Sequence, residues 1–306
     1  MRDRGKRVPP RALPMRDPLG AWRDAVRSGL RATWLGHSTV LLEIDGLRVL
    51  TDPVWALRAS PVQWAGPKRF HPPPVTLAAL PPLDVVLVSH DHYDHLDAAA
   101  VRTLHRLQPQ ARFVTALGVG AHLERFGIDP AVIVELHWGE RFELEDKRAS
   151  IEMFAAQHFS GRGALDRNKT LWGSYVIAGP THRVFFSGDT GLEPSFAETA
   201  RKAGPFDLIM LEVGAWHPLW GEIHLGPFQA REAQRQLGDA PLLPIHWSTF
   251  DLALHAWDEP MLTLEGFARD EGLPLIAPQI GEAWELGDAP LRAARVRALD
   301  PWWRRV

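Results

Sequence analysis

Six consecutive positions, His90-Asp91-His92-Tyr93-Asp94-His95, hold three histidines and two aspartates. Neutral imidazole and carboxylate are the ligands that borderline and hard divalent cations prefer. The six follow an apolar run, residues 84–89, and at a strand end the chain can curl so that alternate side chains converge on one point. A polar surface turn is the plain alternative, but five ligand-type residues in six positions make it a poor fit. Further candidates follow other apolar runs: His158 after 151–155, Asp189 after 184–188 and His246 after 242–245. Singly, each reads as a hydrogen-bonded rim residue or a turn former. Together, four strand-end groups in an α/β context describe one pocket, because open α/β architectures bind ligands at strand carboxyl ends.

The elements that must carry these groups are legible as alternating runs. Residues 32–35, 38–44 and 47–51 read as short strands, with Asp45-Gly46 as a hairpin turn. The proline-rich stretch 53–82 reads as a long loop. Strands are expected at 84–89, 112–115, 132–136, 150–155, 175–178, 183–187, 207–211 and 242–245. Helices are expected at 98–107, capped by Asp97, and at 118–126, 194–202, 227–237 and 262–270. The sum is a mixed α/β chain with buried sheets covered by helices.

Composition narrows the classes. The chain has 306 residues, no cysteine and a formal net charge of −3. Without cysteine there is no disulfide framework, thiolate metal site or cysteine nucleophile. Near-neutral charge gives no bulk case for nucleic acid. No run of 18 apolar residues spans a membrane, and the N-terminus lacks a secretory signal's apolar stretch, so cytoplasmic residence is expected. Residues 1–31 carry nine Lys/Arg against three Asp/Glu. They read as a surface extension ahead of a single catalytic domain at 32–306; a basic strip meeting anionic lipid headgroups is the second reading.

The order His-x-His-x-Asp-His, His158, Asp189 in a Ser-Gly-Asp-Thr turn, then His246 resembles the signature of the metallo-β-lactamase superfamily. Finer motifs resemble its N-acyl-phosphatidylethanolamine-hydrolysing phospholipase D branch: Trp34-Leu35-Gly36-His37-Ser38-Thr39, Leu50-Thr51-Asp52-Pro53, Ser60-Pro61 and Gly66-Pro67-Lys68-Arg69. Gln157-His158, Asp166, Asn168-Lys169, Leu171-Trp172-Gly173, Gly214-Ala215 and Ile245-His246-Trp247 continue the likeness, which spans residues 32–285.

The resemblance implies a four-layer αβ/βα sandwich of two mixed sheets flanked by helices. It implies two divalent cations, with zinc first and iron or manganese also suited to the ligands. His90, His92 and His158 would hold one cation, Asp94, His95 and His246 the other, and Asp189 both. A hydroxide between them would cleave a phosphodiester, with Asp94 orienting it and His224 as proton donor to the leaving group. Asp52 is expected to orient a ligand histidine, and His37 to support the site from behind. Lys68, Arg69, Arg162 and Lys169 flank the motifs in sequence and would favour an anionic phospholipid or small-molecule substrate. Trp55, Trp64, Trp216 and Trp220 would suit an acyl chain or a lipid interface, and Trp302-Trp303 a dimer contact or a membrane-facing edge. The alternatives are a lactonase or carboxylic-ester hydrolase on the same metals, and a metal-bound protein without catalysis.

Overall fold

Short apolar runs separated by turn residues pair into two sheets. The computed structural model describes residues 4–287 and 299–306. Its strands are β1 (Leu30–Gly36), β2 (Thr39–Ile44), β3 (Leu47–Thr51), β4 (Val85–Val88), β5 (Arg112–Ala116), β6 (Ile133–Leu136), β7 (Arg141–Leu144), β8 (Ala149–Phe154), β9 (Ser174–Ala178), β10 (Arg183–Phe186), β11 (Leu208–Glu212), β12 (Leu242–Ile245) and β13 (Ala283–Glu285). One sheet runs β13-β1-β2-β3-β4-β5-β6 and the other β12-β11-β10-β9-β8-β7. Both are mixed: β3 to β6 are parallel, as are β10 to β12, and the remaining neighbours are antiparallel. The helices are α1 (Arg4–Arg7), α2 (Leu19–Arg23), α3 (Ala98–Leu107), α4 (Gly120–Arg125), α5 (Phe196–Ala203), α6 (Gly226–Gln236) and α7 (Glu259–Glu271). Helix α4 packs on β6 and α6 on β11, and one continuous core joins residues of both sheets. Two mixed sheets flanked by helices is the expected architecture. No helix among the described residues is long and apolar enough to cross a membrane.

The local signals act as their chemistry requires. Asp45 and Gly46 both have positive φ, 49° and 86°, the geometry of a two-residue turn whose twist matches its strands. Asp97 accepts hydrogen bonds from the Ala99 and Ala100 amides and so starts α3. Strand β4 is buried along its whole length between two parallel neighbours.

Three expectations need correction. Strand β1 begins two residues early because Arg31 lies buried in register with Glu43, its Nε 2.6 Å from the carboxylate; a paired charge disguised the strand. Strands β7 and β13 are additional to the expected strands. Both are short edge strands, one carrying Arg141 and Glu143, so neither shows an apolar pattern. Trp302 and Trp303 are 0% and 1% exposed, Trp302 stacking on Trp247 and Trp303 meeting it edge-on in the core, so they offer neither a dimer contact nor a membrane-facing edge.

The basic N-terminal segment lies against the body. Leu13 and Trp22 are buried, Trp22 Nε1 donates to Thr33 Oγ1 and Met15 bridges to Ile280. Arg7 donates twice to Asp251.

Candidate metal centre

The carboxyl ends of the parallel strands meet at one edge of the two sheets. After β4 the chain curls through residues 90–95; His158 follows β8, Asp189 follows β10, Glu212 ends β11 and His246 follows β12. Two donor sets form there: His90, His92, His158 and Asp189, and His37, Asp94, His95 and His246. Within each set the donor atoms lie within 4.8 Å of one another.

In the first set, His90 Nε2 is 2.9 Å and His158 Nε2 3.2 Å from His92 Nδ1. Asp189 Oδ2 lies 3.9 and 3.8 Å from His90 and His158 Nε2, and 3.1 Å from both His95 Nε2 and His246 Nε2. Asp189 therefore faces both sets. In the second set, Asp94 Oδ2 lies 3.1 Å from His37 Nε2, 3.3 Å from His246 Nε2 and 3.5 Å from His95 Nε2.

Neighbouring groups dictate which ring nitrogens are free. His158 Nδ1 donates to the Ile223 carbonyl at 2.9 Å, which leaves Nε2 as a lone-pair donor. Asp52 accepts at 2.7 Å each from the Ser89 amide, the Ser89 hydroxyl and His95 Nδ1. That fixes His95 with Nε2 free. The Ser89 hydroxyl donates to Asp52, so its oxygen accepts from His90 Nδ1 at 3.0 Å and leaves His90 Nε2 free as well. Carboxylate and carbonyl partners of this kind set tautomer and ring orientation in metal sites. The left-handed φ values of His37, Asp52 and His246 (51°, 34° and 64°) concentrate backbone strain at the same place.

The donor set fits a cation. His95 Nε2 and Asp189 Oδ1 are buried and make no hydrogen bond, although carboxylate and imidazole atoms crowd around them. Several imidazole nitrogens converge on Asp94 Oδ2 and on Asp189 Oδ2, the crowding about common points that suits ion coordination. The electrostatics agree. Burial holds His90 and His158 well below the usual imidazole range, so both are neutral ligands. Burial likewise drops His37 to about 3, so its Nε2 proton points at Asp94. Burial would lower His95 and His246 too, but the facing carboxylates override it; His95 rises well above its ordinary value and His246 to about 10. Burial pushes Asp94 and Asp189 up, yet the surrounding histidines hold both well below the carboxylate range. Protons on His95 and His246 here occupy the role that cations would take.

A cleft of about 490 Å³ opens over the centre, lined by donors from both sets and by Phe159, Arg167, Trp220, Ile223, His224 and Leu252. His224 lies on the cleft wall, its Nδ1 donating to Glu212 at 2.8 Å. Asp52 and His37 also reach the centre, Asp52 accepting from His95 Nδ1 and His37 Nε2 lying against Asp94.

The basic residues do not. Lys68 and Lys169 are exposed outside the cleft lining. Arg69 is buried, donating to the Val54 carbonyl and lying over Phe250. Arg162 grips the Asp91 and Leu96 carbonyls at 2.5 and 3.0 Å and stacks 3.9 Å above Tyr93, so it braces the 90–95 curl. The cation on the cleft wall is Arg167, over Phe159 at 4.6 Å, which the sequence reading passed over between Asp166 and Asn168. Glu212 was missed too; a carboxylate ending an otherwise apolar strand was its one signal. Of the loop tryptophans, Trp220 lines the cleft and Trp64 is 82% exposed, while Trp55 and Trp216 pack inward against the Val75 carbonyl and His255.

Residues 47–247 match the family model of the β-lactamase superfamily domain. A Mycobacterium tuberculosis protein named only as uncharacterised is 45% identical over 299 residues, covering 97% of this chain and 77% of that one. The N-acyl-phosphatidylethanolamine-hydrolyzing phospholipase D 1 of Caenorhabditis elegans is 39% identical over 274 residues, covering 85% of this chain and 77% of that protein. Among solved structures, the isothiocyanate hydrolase from Delia radicum gut bacteria superposes with a TM-score of 0.66 at 20% identity, over 84% of this chain and 98% of that one. That last likeness is one of fold.

Proposed function

This chain belongs to the β-lactamase superfamily and is a metal-dependent hydrolase, and from that premise we propose that it cleaves a phosphodiester in a phospholipase D-type reaction on an N-acyl-phosphatidylethanolamine-like lipid. The observation that carries the reading is the meeting of two donor sets on Asp189 beneath one cleft. The 39% identity to the worm phospholipase supports the lipid substrate.

His90, His92 and His158 would hold one divalent cation and Asp94, His95 and His246 a second, with Asp189 facing both sets. Zinc suits these ligands best. When bound, such a pair supplies hydroxide at neutral pH and offsets the charge that develops on phosphorus. The chain's own groups do the remaining work. Asp94, held in place by His37, orients the attacking oxygen. Arg167 meets the anionic phosphate on the cleft wall. Phe159, Trp220, Ile223 and Leu252 give the cleft an apolar wall for lipid. His224, as the imidazolium that the facing Glu212 carboxylate favours, gives its Nε2 proton to the departing alcohol oxygen and keeps the Nδ1 proton on Glu212. One water is consumed: the phosphorus gains its oxygen, the bond to the ethanolamine oxygen breaks, and phosphatidate and N-acylethanolamine leave.

Apolar tips on the loops near the cleft, Leu165, Leu219 and Leu254, are 88%, 85% and 56% exposed. They support peripheral contact with a membrane, which on this reading is the inner leaflet approached from the cytoplasm.

The test is direct incubation of the zinc-loaded protein with N-acyl-phosphatidylethanolamine in mixed micelles, beside Asp94→Asn. Mass spectrometry should find N-acylethanolamine and phosphatidate from the wild type alone. Wild-type protein with bound metal and no release would remove this substrate from the account.

A further inference from the structure

Glu212 is fully buried at the end of β11, yet it is not one of the metal-holding residues assigned above. A buried carboxylate is costly unless every oxygen is partnered. Its Oε1 receives the Thr190 amide at 2.8 Å and the Leu225 amide at 3.2 Å. Those two backbone groups belong to the turn after Asp189 and to the residue that precedes α6, so Oε1 is anchored on both sides. The second oxygen, Oε2, accepts from His224 Nδ1 at 2.8 Å, with His246 Nδ1 beyond hydrogen-bond reach at 3.8 Å. With Nδ1 engaged below, Nε2 is the ring atom left to serve the cleft that His224 lines.

We propose that Glu212 is a positioning residue for turnover: it fixes the ring of His224 so that Nε2 faces the departing oxygen of the substrate. This rests on the phosphodiesterase reading and adds a residue to it. His224 comes from the segment between the short turn at Pro218–Trp220 and α6, outside any strand. Without an anchor its ring is free to rotate about χ1 and χ2, and a misplaced donor loses rate steeply. Glu212 supplies the anchor from the rigid end of a central strand. Its donors and its direction have the same logic as the Asp52–His95 pair, but here the oriented imidazole serves the substrate.

A competing role exists on geometry alone, because Glu212 lies with Asp189, His224 and His246 in a third group of metal-type donors. The occupied Oε1 and the directed Oε2 favour the positioning role, and the variants separate the two.

Glu212→Gln is the informative change. Its side-chain oxygen can keep both backbone donors, and its amide nitrogen then meets Nδ1 with a proton of its own. The ring must give up its Nδ1 proton, which leaves it neutral with its one proton on Nε2, a far weaker acid than the imidazolium. Two-bond ¹H–¹⁵N spectra of the zinc-loaded protein, assigned by comparison with His224→Ala, should show a His224 Nδ1 proton in the wild type and none in Glu212→Gln. On a dialkyl phosphodiester, kcat should fall roughly 10–100-fold, the range of losses seen when an orienting partner is removed, with KM and zinc content unchanged. On a 4-nitrophenyl phosphodiester, whose leaving group departs without a proton, the loss should be at most a few fold. Adding Glu212→Gln to His224→Ala should cost nothing further, since both act through one ring.

Additive losses, equal losses on both substrates, loss of a zinc ion, or wild-type kcat would each overturn the proposal. So would a wild-type spectrum without the Nδ1 proton. If the wild type cleaves neither phosphodiester, the functional reading fails, and the spectra still decide whether Glu212 orients His224.

Discussion

Replacing Asp52 with asparagine changes one atom and disturbs three hydrogen bonds. Asp52 is fully buried and accepts the Ser89 amide, the Ser89 hydroxyl and His95 Nδ1, all at 2.7 Å. Oδ1 takes the amide and Oδ2 takes the other two. An asparagine must keep its oxygen on the Ser89 amide, since the reverse orientation would oppose two N–H groups. Its NH₂ then faces the Ser89 hydroxyl and His95 Nδ1. The hydroxyl can rotate and accept, but His95 can accept only by moving its proton to Nε2, the atom that faces Asp94 and Asp189. One ligand of the second set is thereby blocked, while the first set is touched only through the Ser89–His90 contact. Losing such an orienting partner costs about 10–100-fold in metal affinity, which is about 1.4–2.7 kcal/mol. Competition with a chromophoric chelator should show one of two zinc equivalents weakened by that factor and the other changed less. Two equivalents bound as in the wild type would refute the claim that Asp52 sets the tautomer of His95.

The pH dependence has a defined sign. In the metal-free protein His246 sits at about 10 beside Asp189, above its ordinary 6.5, so this pairing stabilises the fold fully below pH 6.5 and is lost as pH rises through 10. Asp94 and Asp189 are held below the ordinary 3.8 and lose their contribution as pH falls below that value. Cations must displace the protons on His95 and His246, so calorimetry at pH 7 in buffers of different ionisation enthalpy should record net proton release, and zinc should bind tighter at pH 8 than at pH 6. Arg167→Met should lower kcat/KM on an anionic phosphodiester by roughly fivefold, the value of an exposed charge contact of about 1 kcal/mol, and raised salt should narrow the gap to wild type. Trp302→Ala should cost about 3–5 kcal/mol in denaturant unfolding and leave the oligomeric state by light scattering unchanged, because the ring is in the core.

The centre was legible because its residues announce themselves twice, by type and by place. His90 to His95, His158, Asp189 and His246 are ligand types standing where apolar runs stop, and strand ends are where a sheet delivers side chains to one edge. Helix α3 and the β2–β3 turn were legible because Asp97 and Asp45-Gly46 carry their own geometry. The basic residues show the opposite case. Arg69 and Arg162 stand beside site motifs in sequence, but long side chains near buried carbonyls fold back to satisfy them, and proximity along the chain says nothing of that direction. Glu212 was illegible because its partners, Thr190, His224 and Leu225, come from separate segments that only the fold joins. Strands β7 and β13 carry the ordinary weakness of edges, where one side is solvated and the pattern blurs.

The proposed function rests on two cations held by donor sets that share Asp189. The most direct measurement is zinc per chain by plasma mass spectrometry on protein loaded and then dialysed, for the wild type and for Asp189→Asn. The account predicts two per chain in the wild type and a loss affecting both sites in the variant, together with lost phosphodiesterase activity. Two tightly bound ions and full turnover in Asp189→Asn would contradict it.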